Sequence, residues 1–190
     1  MDINKATNST KYGDFISKKD SPNKIDIQWL PNITKEMLRD ETPRVYLFVQ
    51  DGRIVKIGGS AGKGGIKATI SFYVTGMQGS PGSSRFIGHL LIANALEKNS
   101  KMELYVITSP KVPAIVNGLF SSRKMEIASF KEMERFCNEQ YFEEEGKYPE
   151  WDFQENNEDY PPELAQLHNK YHQKRLKVKE EKAKYLVGKK

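Results

Sequence analysis

Apolar and polar residues alternate along "RVYLFVQDGRIVKIGGS", residues 44–60, which predicts a β-hairpin of two apolar strands around an Asp-Gly turn. A glycine-rich loop follows, with a short helix expected around Ile66–Tyr73. The period then lengthens. "SSRFIGHLLIANALEKN" carries Phe86, Leu90 and Ala93 at helical spacing after Ser83 or Ser84 as cap. "KMELYVITS" reads as a third strand, and "SFKEMERFCNEQYFEEEG" as a helix between Ser129 and Gly146. From Pro161 the chain repeats Leu164, Leu167 and Tyr171 at helical spacing. This order, β-β-α-β-α, predicts a small α/β (α+β) domain with a central three-stranded antiparallel sheet flanked by helices. Residues 1–40, polar and lysine-dotted, read as an N-terminal arm with little structure of its own; residues 41–155 form the domain, and 156–190 a basic helical tail.

The hairpin admits two registers. With Asp51-Gly52 as a two-residue turn, Lys56 would stand opposite Leu47, on the face of Val45 and Val49. With Gln50-Asp51-Gly52 as a three-residue loop, Val49 pairs with Arg53. Val45, Leu47, Val49, Val55 and Ile57 then line one apolar face, and Tyr46 and Lys56 meet on the other. The longer loop is preferred because it leaves no charge in the core. A phenol opposite an ammonium has a lowered pKa and is a candidate general base. The bland alternative is a core-edge tyrosine beside a solvated lysine.

Composition narrows the function classes. Thirty Lys and Arg against 25 Asp and Glu leave a net charge of +5, and base dominates the tail "NKYHQKRLKVKEEKAKYLVGKK". This balance favours a polyanionic partner. The single cysteine, Cys137, excludes an internal disulfide and a cysteine-based zinc cluster. No apolar run reaches the length of a membrane span, and the first residues lack a signal-peptide core, so the expected setting is the cytoplasm. "GGSAGKGG" is not a phosphate loop: Ile57 stands where the first glycine belongs and Gly64 where Ser or Thr would hold magnesium. His168 and His172 lie one helical turn apart but lack a third ligand.

The hairpin resembles the opening of the GIY-YIG nuclease superfamily, and of its type II restriction enzymes most. Arg44-Val45-Tyr46 stands for the first motif and Lys56-Ile57-Gly58 for the second. The family places an Arg and a His or Tyr four residues apart on the next helix. "RFIGH" supplies Arg85 and His89 if an inserted loop precedes it. The competing alignment puts Thr69 and Tyr73 there and loses the arginine. "NEQYFEEEGKYPEWD" is similar to the family's closing segment, making Glu139 the metal-binding carboxylate. Glu134, on the apolar face of the same helix, is its rival. Asp152 occupies the place where asparagine is usual.

The resemblance implies a metal-dependent endonuclease that hydrolyses phosphodiesters in double-stranded DNA, with Mg2+ or Mn2+ on Glu139. Tyr46, assisted by Lys56, would position or deprotonate water; Arg85 would bind the scissile phosphate, and His89 would share either role. Cutting both strands implies a homodimer or higher assembly on DNA. Homing- or repair-type nucleases and an idle DNA-binding module with the same fold are the alternatives.

Overall fold

Strand β3 (Arg44–Gln50) is buried on both faces almost throughout, because its two sets of alternating side chains serve two separate cores. In this computed structural model, which describes residues 1–18, 20, 24–79, 81–127 and 129–187 (side chains only to 178 in the last helix), β3 lies inside a five-stranded antiparallel sheet. The spatial order is β2 (Lys24–Trp29), β1 (Thr10–Lys18), β5 (Met102–Thr108), β3 and β4 (Arg53–Ser60). The expected sheet had three strands. The two added ones come from residues read as an arm. Their apolar residues are interleaved with polar ones; Phe15 and Ile25 are fully enclosed, and polar Lys11 bonds to Asp14 and the buried Glu103.

On one face Tyr46, Phe48 and Val55 join Phe15, Ile25, Met102 and Leu104. Helices α2 (Gly65–Val74) and α3 (Ser83–Glu97) cover them with Ile66, Ile70, Tyr73 and Ile92, while α1 (Lys35–Arg39) contributes Leu38. On the other face Val45, Leu47, Val49, Ile54 and Ile57 pack under α4 (Phe130–Glu145) through Tyr141 and Met133, with Ile3 from the N-terminus. The chain start is tied in place: Ile3 N–H donates to Gly52 O at 2.8 Å, and the terminal ammonium meets Glu145 at 3.0 Å. Gly146, at φ 71°, ends α4 as expected. Helix α5 (Pro162–Val187) rests Leu164 and Tyr171 on Phe86 and Ile87 of α3. The tail is thus a helix from Pro162 onward, while 156–161 are turn and irregular backbone; 188–190 lie outside the described residues. The separate hairpin of β6 (Val112–Asn117) and β7 (Ser122–Ile127) had no counterpart in the sequence reading. No helix among the described residues is long and apolar enough to cross a membrane.

The β3–β4 register departs from both simple alternatives. Asp51 (φ 50°) and Gly52 (φ 80°) form a two-residue turn, so Gln50 pairs with Arg53 and Val49 with Ile54. A bulge at Val55 then slips the ladder, and Phe48 pairs with Lys56, Leu47 with Ile57 and Tyr46 with Gly58. The charge is kept off the Leu47 face as argued, but by the bulge and not by a longer loop. Val55 consequently belongs to the Tyr46 face, and Lys56 lies opposite Phe48, two residues along the strand from Gly58, the partner of Tyr46.

Because β1 is a packed strand, Phe15→Ala should cost about 3–5 kcal/mol, the usual range for emptying an aromatic core site. Urea unfolding measures this; an unchanged midpoint would mean that residues 1–40 are an unattached arm.

Candidate active site

The bulge at Val55 organises the site. Its carbonyl accepts the Trp151 N–H at 2.8 Å, which draws the segment after α4 against the hairpin. Asp152 is thereby placed over β4: one carboxylate oxygen takes the Lys56 ammonium at 2.6 Å, the other the Ile57 N–H at 2.9 Å. Burial acts against both charges, pushing the Asp152 carboxyl up and the Lys56 ammonium down. For Lys56 the facing carboxylate prevails, and the ammonium holds its proton more firmly than usual. Asn156 fixes the segment, accepting from Tyr148 N–H and donating to Pro149 O.

Consecutive glycines at the end of β4 make room for two further groups. A Cβ on Gly58 would lie 2.4 Å from the Tyr46 hydroxyl, so the phenol crosses that bare backbone. The Tyr46 hydroxyl shares a 2.8 Å hydrogen bond with that of Tyr73 from α2. Burial, with Tyr73 alongside, pushes the Tyr46 phenol well above its ordinary range. The expected lysine-activated phenolate is therefore replaced by a neutral phenol, kept so by burial and by Tyr73.

A Cβ on Gly59 would lie 2.6 Å from Oε2 of Glu134, which projects from α4. Burial raises the Glu134 carboxyl, opposed by the Gly59 N–H and by Lys56. One turn on, Asn138 is 7% exposed, and its Oδ1 is enclosed without a hydrogen-bond partner. Lys56, Glu134, Asn138, Asp152, Gly88 and Trp151 line a cleft of about 120 Å³. Among the described residues no three His, Cys, Asp or Glu side chains gather as a metal cluster.

Of the residues singled out from sequence, Tyr46 and Lys56 lie at this end of the hairpin, whereas Arg85, His89 and Glu139 are engaged elsewhere. Arg85 donates to the carbonyls of Phe72 (2.6 Å) and Thr75 (2.7 Å) and lies over the Phe72 ring, closing the C-terminal end of α2. His89 is fully buried between α2 and α3, its Nδ1–H donating to Tyr73 O at 2.8 Å. Glu139 is exposed on the outer face of α4, 3.5 Å from Arg135. The rivals Glu134 and Tyr73 do lie at this end of the hairpin, as does Asp152. Thr69 bonds to the Ser60 hydroxyl at 2.9 Å. His168 and His172 both donate to Pro81 O, which occupies them in docking α5. Asn138 escaped the sequence reading entirely; its i+4 spacing from Glu134 was the available signal.

No family model matches the sequence, and no curated protein does. Among solved structures, the chain is similar to a point mutant of EndoII from bacteriophage T4. The TM-score is 0.51 at 17% identity, over 79% of this chain and 95% of that one. The restriction endonuclease HPY188I in complex with product DNA scores 0.47 at 16% identity, over 78% and 84% of the two chains. The fold described above is thus shared with the phage protein.

Burial holds the His89 imidazole below 6.5, with Nε2 enclosed and unpartnered. Between the lowered folded value and 6.5 the unfolded chain binds the extra proton, so stability is complete above 6.5 and falls as pH drops. The urea midpoint should be lower at about pH 5.5 than at about pH 7.5, and His89→Gln should flatten that slope. An equal slope in both proteins would remove His89 as its source.

Proposed function

We propose that the chain is a divalent-metal-dependent endonuclease of double-stranded DNA, of GIY-YIG type, with the cleft beside the β3–β4 hairpin as its active site. One observation carries the reading: the Tyr46–Tyr73 hydroxyl pair, the Lys56 ammonium and the Glu134 carboxylate stand together at the end of one hairpin. They do so on a fold similar to that of the phage EndoII chain. In this reading Tyr73 takes the helix position first given to His89, and Glu134 the metal position first given to Glu139.

The donors suit a hard cation. Glu134 offers a carboxylate and Asn138 an amide oxygen with no other partner, and Mg2+ needs only one or two such ligands because it keeps several waters. Mg2+ or Mn2+ bound there would offset the charge that develops on the phosphate and the leaving oxygen. The protein supplies the rest. Lys56, held by Asp152, is a fixed positive charge for a phosphate oxygen, and it stands in for the arginine that Thr69 replaces. The neutral Tyr46 phenol and Tyr73 hydroxyl form a donor–acceptor pair that orients the attacking water. The net charge of +5 favours the polyanionic substrate.

Incubation of the protein with plasmid and Mg2+ tests the activity. Discrete fragments identify a site-specific, type II restriction enzyme, nicks or smears another nuclease, and binding without cutting an idle module. Glu134→Gln should lower cleavage on the order of a hundredfold or more, the scale on which loss of one transition-state-stabilising group acts, while DNA binding persists. Glu139→Gln should cut like the wild type; the reverse pattern would return the metal to Glu139. Because burial raises the Glu134 carboxyl in the metal-free chain, protons should compete with Mg2+ for it, and the Mg2+ concentration needed for half-maximal cleavage should rise as the pH falls. A Mg2+ requirement that does not change with pH would count against Glu134 as the ligand.

A further inference from the structure

The β6–β7 hairpin is unexplained by the site. Among the described residues its strands pair only with each other, forming a two-stranded sheet apart from the main one. Such a ribbon is marginal in water unless something completes it. Its tip is apolar and open: Leu119 and Phe120 are 92% and 98% exposed.

The hydrogen-bond pattern shows which edge is available. Gly118 N–H donates to Ser121 O at 2.8 Å, so 118 and 121 form a hydrogen-bonded pair. Alternation along the ladder makes Asn117–Ser122, Ile115–Lys124 and Pro113–Glu126 non-hydrogen-bonded pairs. Pro113, which has no N–H, falls where β7 asks for none, and it removes a donor from the outer edge of β6. On β7 no proline intervenes. The N–H and C=O groups of Lys124 and Glu126 point away from β6, along an open edge of the kind that recruits another strand.

We propose that β7 pairs antiparallel with β7 of a second copy of this chain, about a two-fold axis at Met125, joining two hairpins into one four-stranded sheet. The register follows from charge and ladder parity together. With Met125 opposite the partner's Met125, Lys124 stands opposite the partner's Glu126, and Glu126 opposite the partner's Lys124. Both pairs are opposite in charge, and both use the outward N–H and C=O groups identified above. Moving the axis by one residue along the strand would place Lys124 opposite its own copy, or Glu126 opposite its own. Val112, Ala114, Val116, Met125 and Ile127 share one face of each hairpin with Arg123, so the joined sheet presents a doubled, mainly apolar face. The same register carries Leu119 and Phe120 to the base of the partner's hairpin. A two-fold of this kind also relates two copies of α4, and with them two clefts, by the symmetry that relates the strands of a duplex. The pairing itself does not depend on the nuclease reading.

Sedimentation equilibrium of the full chain, without DNA, tests it. The expected mass is twice 21.8 kDa. Lys124→Glu and Glu126→Lys each set like charges opposite one another twice, and each should weaken the dimer about tenfold or more. Combining them exchanges the two charges and should restore wild-type association, which also shows that neither substitution acts by unfolding the hairpin. A wild-type chain that stays monomeric overturns the proposal, as do single and double variants that associate alike. Both results leave plasmid cleavage to be judged separately.

Discussion

A carboxylate held by two donors fixes the arrangement of the cleft. Asp152 meets the Lys56 ammonium with one oxygen and the Ile57 N–H with the other, in a place where burial penalises both charges. Such a pair is a poor stabiliser, since apolar residues of similar size would fold as well or better. Its use lies in position. It holds the segment after α4 against the hairpin, and it keeps a cation fixed beside Glu134. An unpaired Lys56 would have to turn outward to solvent, and the cleft would open with it.

Close approach is the second requirement. Gly58 lets the Tyr46 phenol lie across the backbone, and Gly59 does the same for the Glu134 carboxylate, each at distances that a Cβ would forbid. The two glycines, the bulge at Val55 and the turn at Asp51-Gly52 thus act as one device. They present a polar cluster at the end of a strand pair most of whose other positions are core.

Much of this was legible in the letters. The hairpin, the three central helices and the third strand followed from periodicity, and Gly146 marked the end of α4. Two strands in the first 40 residues did not, because their apolar residues are scattered through a polar, lysine-dotted stretch, although Ile25, Ile27 and Trp29 alternate in β2. The bulge was invisible because period-2 reasoning assumes an unbroken ladder, and one inserted residue moves Val55 to the opposite face. Among the candidate residues, Tyr46 and Lys56 stand out in the letters by their oddness in an apolar hairpin. The cost of burying a carboxylate singles out Glu134 on α4, and that side chain has partners in Gly59 and Lys56. Arg85 and His89 matched a pattern one turn apart, but that spacing only puts them on one face; it does not say what the face meets. Here it meets the end of α2.

The central claim is that Glu134 and its neighbours hold a divalent ion in the cleft. A crystal grown or soaked with Mn2+ tests it most directly through the anomalous signal of the metal. The account predicts a peak within coordinating distance of the Glu134 carboxylate, on the side of Asn138. A peak at Glu139, or a Glu134 carboxylate that stays bare while the metal binds elsewhere, would contradict it.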